Sequence, residues 1–122
     1  MNHIDSHNHF WHYDEVTHEW ISPEMAVIRR DFLPADLLPV LKANGMAGTV
    51  AVQADQTEEE TLFLLQLAEE NDFIKGVVGW VDLQADNLNE RLQYFSAFEK
   101  LKGFRHILQG DPQRDLMLTP KF

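Results

Sequence analysis

The chain has 122 residues, of which 44% are apolar and 25% are charged, and this balance is typical of one soluble globular domain. Its formal charge of −10 repels phosphate backbones and anionic lipid, so we expect neither nucleic acid nor a membrane as a partner. The absence of cysteine excludes disulfides, thiolate metal sites and a cysteine nucleophile. No apolar run approaches the roughly 18 residues of a spanning helix and no secretory signal is recognisable. We therefore expect a single cytoplasmic domain over residues 1–122.

The first predicted strand covers residues 2–9 and carries two histidines one residue apart, in the segment IDSHNHFW. Residues i and i+2 of an extended strand project from the same face, so His7 and His9 should point together. Imidazole is the commonest metal ligand in proteins, and the pair therefore suits a metal ion or a substrate oxygen. The alternative is two polar residues at a strand end that are satisfied by backbone groups.

Residues 10–31 are rich in aromatic and charged side chains but show little periodicity, which predicts a loop. A loop of about 20 residues inside a compact domain is uncommon and is usually functional. Its tryptophans, Trp11 and Trp20, either anchor the loop or line the mouth of a pocket.

Three helix–strand pairs follow the loop, which predicts an α/β fold with parallel strands and right-handed crossovers. Caps, β-branched runs and the 3.6-residue period place the boundaries. The predicted helices cover residues 32–44, 57–71 and 87–101, the predicted strands cover 48–55, 74–83 and 103–109, and residues 110–122 show no completed element.

Polar and aromatic side chains follow each predicted strand at its carboxyl end. In parallel α/β folds these ends share one edge of the sheet, where ligands bind. We therefore predict one site there, although two of the aspartates also suit the capping of a following helix. The residues are His7, His9, Gln53, Asp55, Trp80, Asp82, Arg105 and His106.

The first-strand segment with His7 and His9 resembles the HxH signature of the amidohydrolase superfamily. More narrowly, it is similar to the amidohydrolase-2 branch, which contains sugar lactonases and 2-pyrone-4,6-dicarboxylate lactonase. The segments VAVQA, GVVGWVDL and KGFRH, at residues 50–54, 76–83 and 102–106, resemble the same branch, so the likeness runs over essentially the whole chain. It implies a (β/α)8 TIM barrel that hydrolyses small lactones or related C–O and C–N bonds.

The resemblance implies that His7 and His9 are catalytic and bind a divalent, zinc-like metal, while a metal-independent reaction stays an alternative. Arg105 would bind a substrate carboxylate or polarise a lactone carbonyl, unless it forms a salt bridge with an acidic neighbour. His106 and Gln53 are the further substrate-binding candidates, and for His106 a buried structural role is the alternative.

A complete barrel takes about 250 residues, so 122 residues correspond to an N-terminal half with four strands. Members of the family take further histidines and an aspartate general base from later strands, which this sequence does not contain. We therefore expect a small-molecule hydrolase whose 122-residue chain has little turnover alone. The alternative is a non-catalytic α/β module that binds a small ligand or self-associates through the open sheet edge of the fourth strand.

Overall fold

The computed structural model describes residues 3–14, 18, 23–28, 30–108, 113 and 116–120. In these ranges four strands form one sheet in the order β1-β2-β3-β4, and every neighbouring pair is parallel. The strands are β1 (His3–Asn8), β2 (Met46–Val52), β3 (Ile74–Gly79) and β4 (Leu101–Phe104).

Helices alternate with the strands as predicted: α1 (Pro34–Ala43), α2 (Glu58–Glu70) and α3 (Leu88–Phe95). Two short 3₁₀ helices, Pro23–Ile28 and Leu116–Leu118, lie in segments for which no element was predicted. Such short turns lack the 3.6-residue period that reveals an α-helix in a sequence. Within the described ranges, no helix is long and apolar enough to cross a bilayer.

The fourth strand differs most from its prediction of residues 103–109. It begins at Leu101, which pairs with Val77, and it ends at Phe104. Leu101 follows the apolar residues of α3 at helical spacing, but α3 already ends at Phe95, so the predicted helix end was wrong. Residues Asn2, Trp20 and Gln109, which were also assigned to predicted elements, lie outside the described part of the chain.

The core lies between the sheet and α2. The apolar face of α2 buries Leu64, Leu65 and Ala68 against the strands, where Ile74 and Val77 are fully buried. Burial of such side chains contributes about 1.5–3 kcal/mol each and is the main force that holds the helix on the sheet.

A polar contact fixes the same helix at the carboxyl end of β3. The Thr61 hydroxyl donates to the main-chain oxygen of Trp80 (2.7 Å) and accepts from its N–H (2.8 Å). Gly79 permits this approach, because a Cβ atom there would lie 2.5 Å from Thr61 Cγ2. These two hydrogen bonds therefore fix the position of the carboxyl end of β3, beside the predicted site.

The base of the long loop is closed by a pair of main-chain hydrogen bonds. Trp11 and Phe32 each donate an N–H to the other's carbonyl oxygen at 2.9 Å, and their rings are 4.9 Å apart. Trp11 therefore anchors the loop, in agreement with one of the two roles predicted for it.

Glu60, in the first turn of α2, fixes the connection that follows β2. Thr57 caps the helix, because its hydroxyl accepts from the Glu60 N–H (3.0 Å). The buried Glu60 carboxylate does not return to Thr57 but accepts from the N–H groups of Ala54 (2.8 Å) and Asp55 (3.2 Å). Burial raises the pKa of the Glu60 carboxyl, although these hydrogen bonds oppose the shift.

We predict that the Glu60→Gln variant has a higher free energy of unfolding than the wild type at about pH 7. At about pH 4 this difference between the two proteins should be smaller. The raised pKa means that the folded state binds a proton at Glu60 more readily than the unfolded state does. Its contribution to stability is therefore present below the usual value of 4.5 and is lost as pH rises through the folded pKa. Urea unfolding at both pH values measures the difference.

Two variants serve as controls. Glu60→Leu removes the acceptor of two partly buried N–H groups and should cost about 1–3 kcal/mol for each at either pH. Glu59→Gln changes the charge at the exposed neighbouring position and should have little effect. A Glu60→Gln effect that is the same at both pH values would contradict the prediction.

Candidate functional site

The imidazoles of His7 and His9 converge at the carboxyl end of β1. Their Nε2 atoms are 3.2 Å apart, and the rings meet edge to face with centroids 4.9 Å apart. His7 is exposed and His9 is half-buried, so solvent reaches the pair although protein groups cover part of His9. The convergence that the HxH spacing predicts is therefore present.

The local backbone that presents His7 is held by Asp5. One carboxylate oxygen accepts from the His7 N–H (3.1 Å), and the other accepts from the side-chain amide of Asn8, which also donates to the Thr49 hydroxyl (3.0 Å). The pairing with β2 shifts register between Asp5 and Asn8. Such irregularities in a strand redirect the side chains next to them, which a regular two-residue alternation does not predict.

The orientation of His9 follows from its second ring nitrogen. Nδ1 lies 2.8 Å from the main-chain oxygen of Val52, the last residue of β2. Because a carbonyl oxygen can only accept, Nδ1 carries the proton, and the neutral ring keeps a lone pair on Nε2. In the neutral pair, His7 Nε2–H donates to that lone pair.

The surroundings keep His9 neutral. Burial is the main cause that lowers its pKa below 6.5, and the charges of His7 and Arg105 lower the pKa further, while the Val52 hydrogen bond opposes them. Metal ligation requires a neutral imidazole, and a neutral ring can also accept a proton.

Arg105 follows β4 and crosses the end of β3 to reach the end of β2. Its main-chain N–H donates to Gly79 (3.0 Å), its Nε donates to the side-chain oxygen of Gln53, and its Nη2 donates to the Gln53 main-chain oxygen (2.9 Å). In the described part of the chain, no carboxylate lies within ion-pair distance of its guanidinium. Those residues therefore do not supply the salt bridge that was the alternative role for Arg105.

Gln53 is fully buried, and its side chain is hydrogen-bonded to other protein groups. Its Nε2 donates to the main-chain oxygen of Asp55 (3.2 Å), and its main-chain N–H donates to Val78 (2.8 Å). Its observed contacts are with Arg105 and the backbone, while the predicted contact with a substrate stays a prediction.

His106 lies beside Trp80, both half-buried. The Trp80 indole nitrogen is 3.5 Å from His106 Nδ1, at the outer limit of a hydrogen bond. The structure brings His106 to the same sheet edge as Arg105, and its predicted role in substrate binding stays a prediction.

The two aspartates at the strand ends have other partners. Asp55 lies 3.3 Å from Nε2 of the buried His18, and burial raises the pKa of its carboxyl. Asp82 accepts from the Gln84 N–H (3.0 Å) in the turn after β3. Neither caps the following helix. The His18 contact was missed because no sequence pattern links positions 18 and 55.

In the described ranges, no group of three or more histidine, aspartate or glutamate side chains is arranged to hold a metal ion. His7 and His9 therefore supply two donors, whereas a catalytic zinc site has three protein ligands.

Two curated relatives match most of this chain but less than half of their own length. An L-fucono-1,5-lactonase of Burkholderia multivorans is 45% identical over 108 residues, which are 88% of this chain and 36% of that protein. An L-fucono-1,5-lactonase of Burkholderia ambifaria is 38% identical over 117 residues, which are 96% of this chain and 40% of that protein.

Solved structures show the same partial coverage. A crystal structure of a Burkholderia multivorans amidohydrolase with bound zinc matches with a TM-score of 0.94 and 41% identity over 100% of this chain and 43% of that one. A second, with bound HEPES, matches with a TM-score of 0.93 and 41% identity over 100% and 42%. The likeness confirms the predicted fold class of a half (β/α)8 barrel.

The amidohydrolase family model matches residues 4–119, a range that contains both histidines, Gln53 and Arg105. This match agrees with the resemblance that the strand-end motifs indicate. The chain belongs to the amidohydrolase family.

Proposed function

We propose that this chain forms part of a site that hydrolyses a small lactone, with L-fucono-1,5-lactone as the first candidate substrate. The observation that carries the proposal is the convergence of His7 and His9, whose Nε2 atoms are 3.2 Å apart, at the same edge of the sheet as Arg105. The names of the two relatives support the substrate class. The chain spans 36% and 40% of their lengths, so the complete site would need groups that the described residues do not supply.

The histidine pair fits a divalent metal ion. Two nitrogens bound to one tetrahedral zinc ion at about 2.0–2.1 Å lie roughly 3.3 Å apart, close to the 3.2 Å between these two Nε2 atoms. The Val52 carbonyl sets the required tautomer of His9, as a carbonyl or carboxylate commonly does for metal-binding histidines. The zinc in the structural neighbour supports this assignment. A bound ion would polarise the lactone carbonyl or activate a water molecule.

Lactone hydrolysis adds water to the carbonyl carbon and breaks the ring C–O bond, which yields a hydroxy acid. Negative charge develops on the carbonyl oxygen as water attacks. The Arg105 guanidinium would donate a charge-assisted hydrogen bond to that oxygen and then to the carboxylate product. In a metal-independent reaction, His7 would donate Nε2–H to the same oxygen. His106 is the further substrate-binding residue that we propose.

A small molecule is the partner that this chemistry requires. Self-association through the open edge of β4 and a cytoplasmic location both stay predictions.

We predict that His7→Ala and His9→Ala each weaken zinc binding by the 122-residue chain at least about tenfold, because each removes one nitrogen ligand. Isothermal titration calorimetry with zinc chloride measures the change. His12→Ala is the matched control, because His12 is an exposed histidine that pairs with Asp31 (3.0 Å) outside the pair. Equal losses in all three variants, or no loss in the first two, would contradict the assignment.

We also predict that the 122-residue chain alone hydrolyses L-fucono-1,5-lactone slowly or not at all. A chimera in which residues 4–119 replace the matching segment of the Burkholderia multivorans lactonase should retain activity. Arg105→Met in that chimera should lower kcat/KM about a hundredfold, because it removes an oxyanion donor. Acid release in a weakly buffered indicator assay measures all three rates.

The contradicting outcomes differ for the two parts of this prediction. Turnover by the purified 122-residue chain at the rate of the full-length relative would show that the chain needs no further groups. A correctly folded chimera without lactonase activity would contradict the proposed substrate class.

A further inference from the structure

The guanidinium of Arg105 is held by a neutral residue. Arginines in proteins commonly place two parallel N–H groups on a carboxylate, which fixes the side chain and cancels its charge. Here Nε and Nη2 donate to the side-chain and main-chain oxygens of Gln53. The geometry resembles that of a bidentate ion pair, but the positive charge is not compensated by this partner.

Gln53 is itself held in place by burial and by two hydrogen bonds. It is fully buried, its main-chain N–H is bound to Val78, and its Nε2 donates to the Asp55 carbonyl. These contacts determine which way the amide faces, because a flipped amide would place an NH2 group against a guanidinium that has only donors. Its side-chain oxygen must therefore point at Arg105.

The other end of the guanidinium stays available. In the described part of the chain, Nη1 of Arg105 has no protein acceptor, and Arg105 is half-buried. A fixed, partly desolvated cation with a spare donor suits an anionic oxygen, since electrostatic attraction is stronger where water is partly excluded.

We propose that Gln53 is a positioning residue that presents Arg105 as an uncompensated cation to a carboxylate or a developing oxyanion. Gln53 acts through Arg105 and does not touch the substrate, which differs from the substrate contact predicted for it. The identity of the natural anion rests on the proposed lactone hydrolysis, whereas the arrangement of Gln53 and Arg105 does not.

Two substitutions separate position from charge. Gln53→Glu keeps the shape and both acceptor oxygens for Arg105 but places a negative charge against the guanidinium, and it replaces the Nε2 donor to the Asp55 carbonyl with an oxygen. Arg105 should stay in place and lose its attraction for anions. Gln53→Met removes the side-chain acceptor without adding charge, so Arg105 should become less ordered while remaining cationic.

Titration of the ¹⁵N-labelled 122-residue chain with sodium acetate and with L-fuconate, the hydrolysis product of L-fucono-1,5-lactone, tests the proposal. The Arg105 Nε–H resonance of the wild type should exchange slowly with water and should shift as each anion binds. In Gln53→Glu the resonance should stay protected, but the acetate affinity should fall at least about tenfold. In Gln53→Met the resonance should lose its protection.

Gln56→Glu is the matched control. It adds the same charge nearby, but Gln56 accepts from the Ile107 N–H (2.7 Å), and in the described part of the chain it forms no hydrogen bond with Arg105. At physiological salt its acetate affinity should stay within about twofold of the wild type. The Tm of each variant is measured by thermal unfolding alongside the titrations. If the role of Gln53 were merely structural, a Gln53→Glu variant with unchanged Tm would bind acetate with wild-type affinity.

Three outcomes would overturn the positioning role: wild-type acetate affinity in a folded Gln53→Glu variant, an equal loss in Gln56→Glu, or rapid exchange of the wild-type Arg105 Nε–H. The proton-exchange measurement on the wild type needs no variant, so it tests the positioning role even if Gln53→Glu does not fold. Acetate binding that depends on Gln53, together with L-fuconate binding no tighter than acetate, would support the positioning role and count against the proposed lactone.

Discussion

The carboxyl end of β2 determines the geometry of the candidate site. The carbonyl oxygen of Val52 accepts from His9, and the carbonyl and side-chain oxygens of the next residue, Gln53, accept from Arg105. Val52, the last residue of β2, and Gln53, which follows it, thus orient a side chain that follows β1 on one side and a side chain that follows β4 on the other. Glu60 and Thr61 of α2 are hydrogen-bonded to the backbone that follows β2 and β3. The packing of α2 on the sheet therefore fixes the position of the strand ends that carry the site.

These contacts place one imidazole and one guanidinium at the same edge of the sheet. Burial and the Arg105 charge disfavour protonation of His9, while the neutral partner Gln53 leaves the charge of Arg105 uncompensated. The combination suits attack on a carbonyl group, which needs a lone pair or ligand nitrogen and a donor for the developing oxyanion. The described residues include candidates for these two functions but no group of three side chains that could hold a metal ion, and the chain spans about two fifths of its relatives.

The order of elements and the common edge of the strand-end residues could be predicted from the sequence, because both follow from periodicity and from parallel topology. The convergence of His7 and His9 followed from their spacing. The register shift below His7 could not be predicted, since it depends on how Asp5 and Asn8 pair with β2. Likewise, the contacts between His18 and Asp55 and between Arg105 and Gln53 join residues far apart in the chain, and no local pattern indicates them.

The most direct test of this account is the protonation state of His9 in the metal-free chain, measured from long-range ¹H–¹⁵N couplings of its ring at about pH 7. We expect a neutral ring with the proton on Nδ1, held by the Val52 carbonyl, and an unprotonated Nε2 directed at His7. A proton on Nε2, or an imidazolium at that pH, would show that the end of β2 does not orient His9 and would contradict the account.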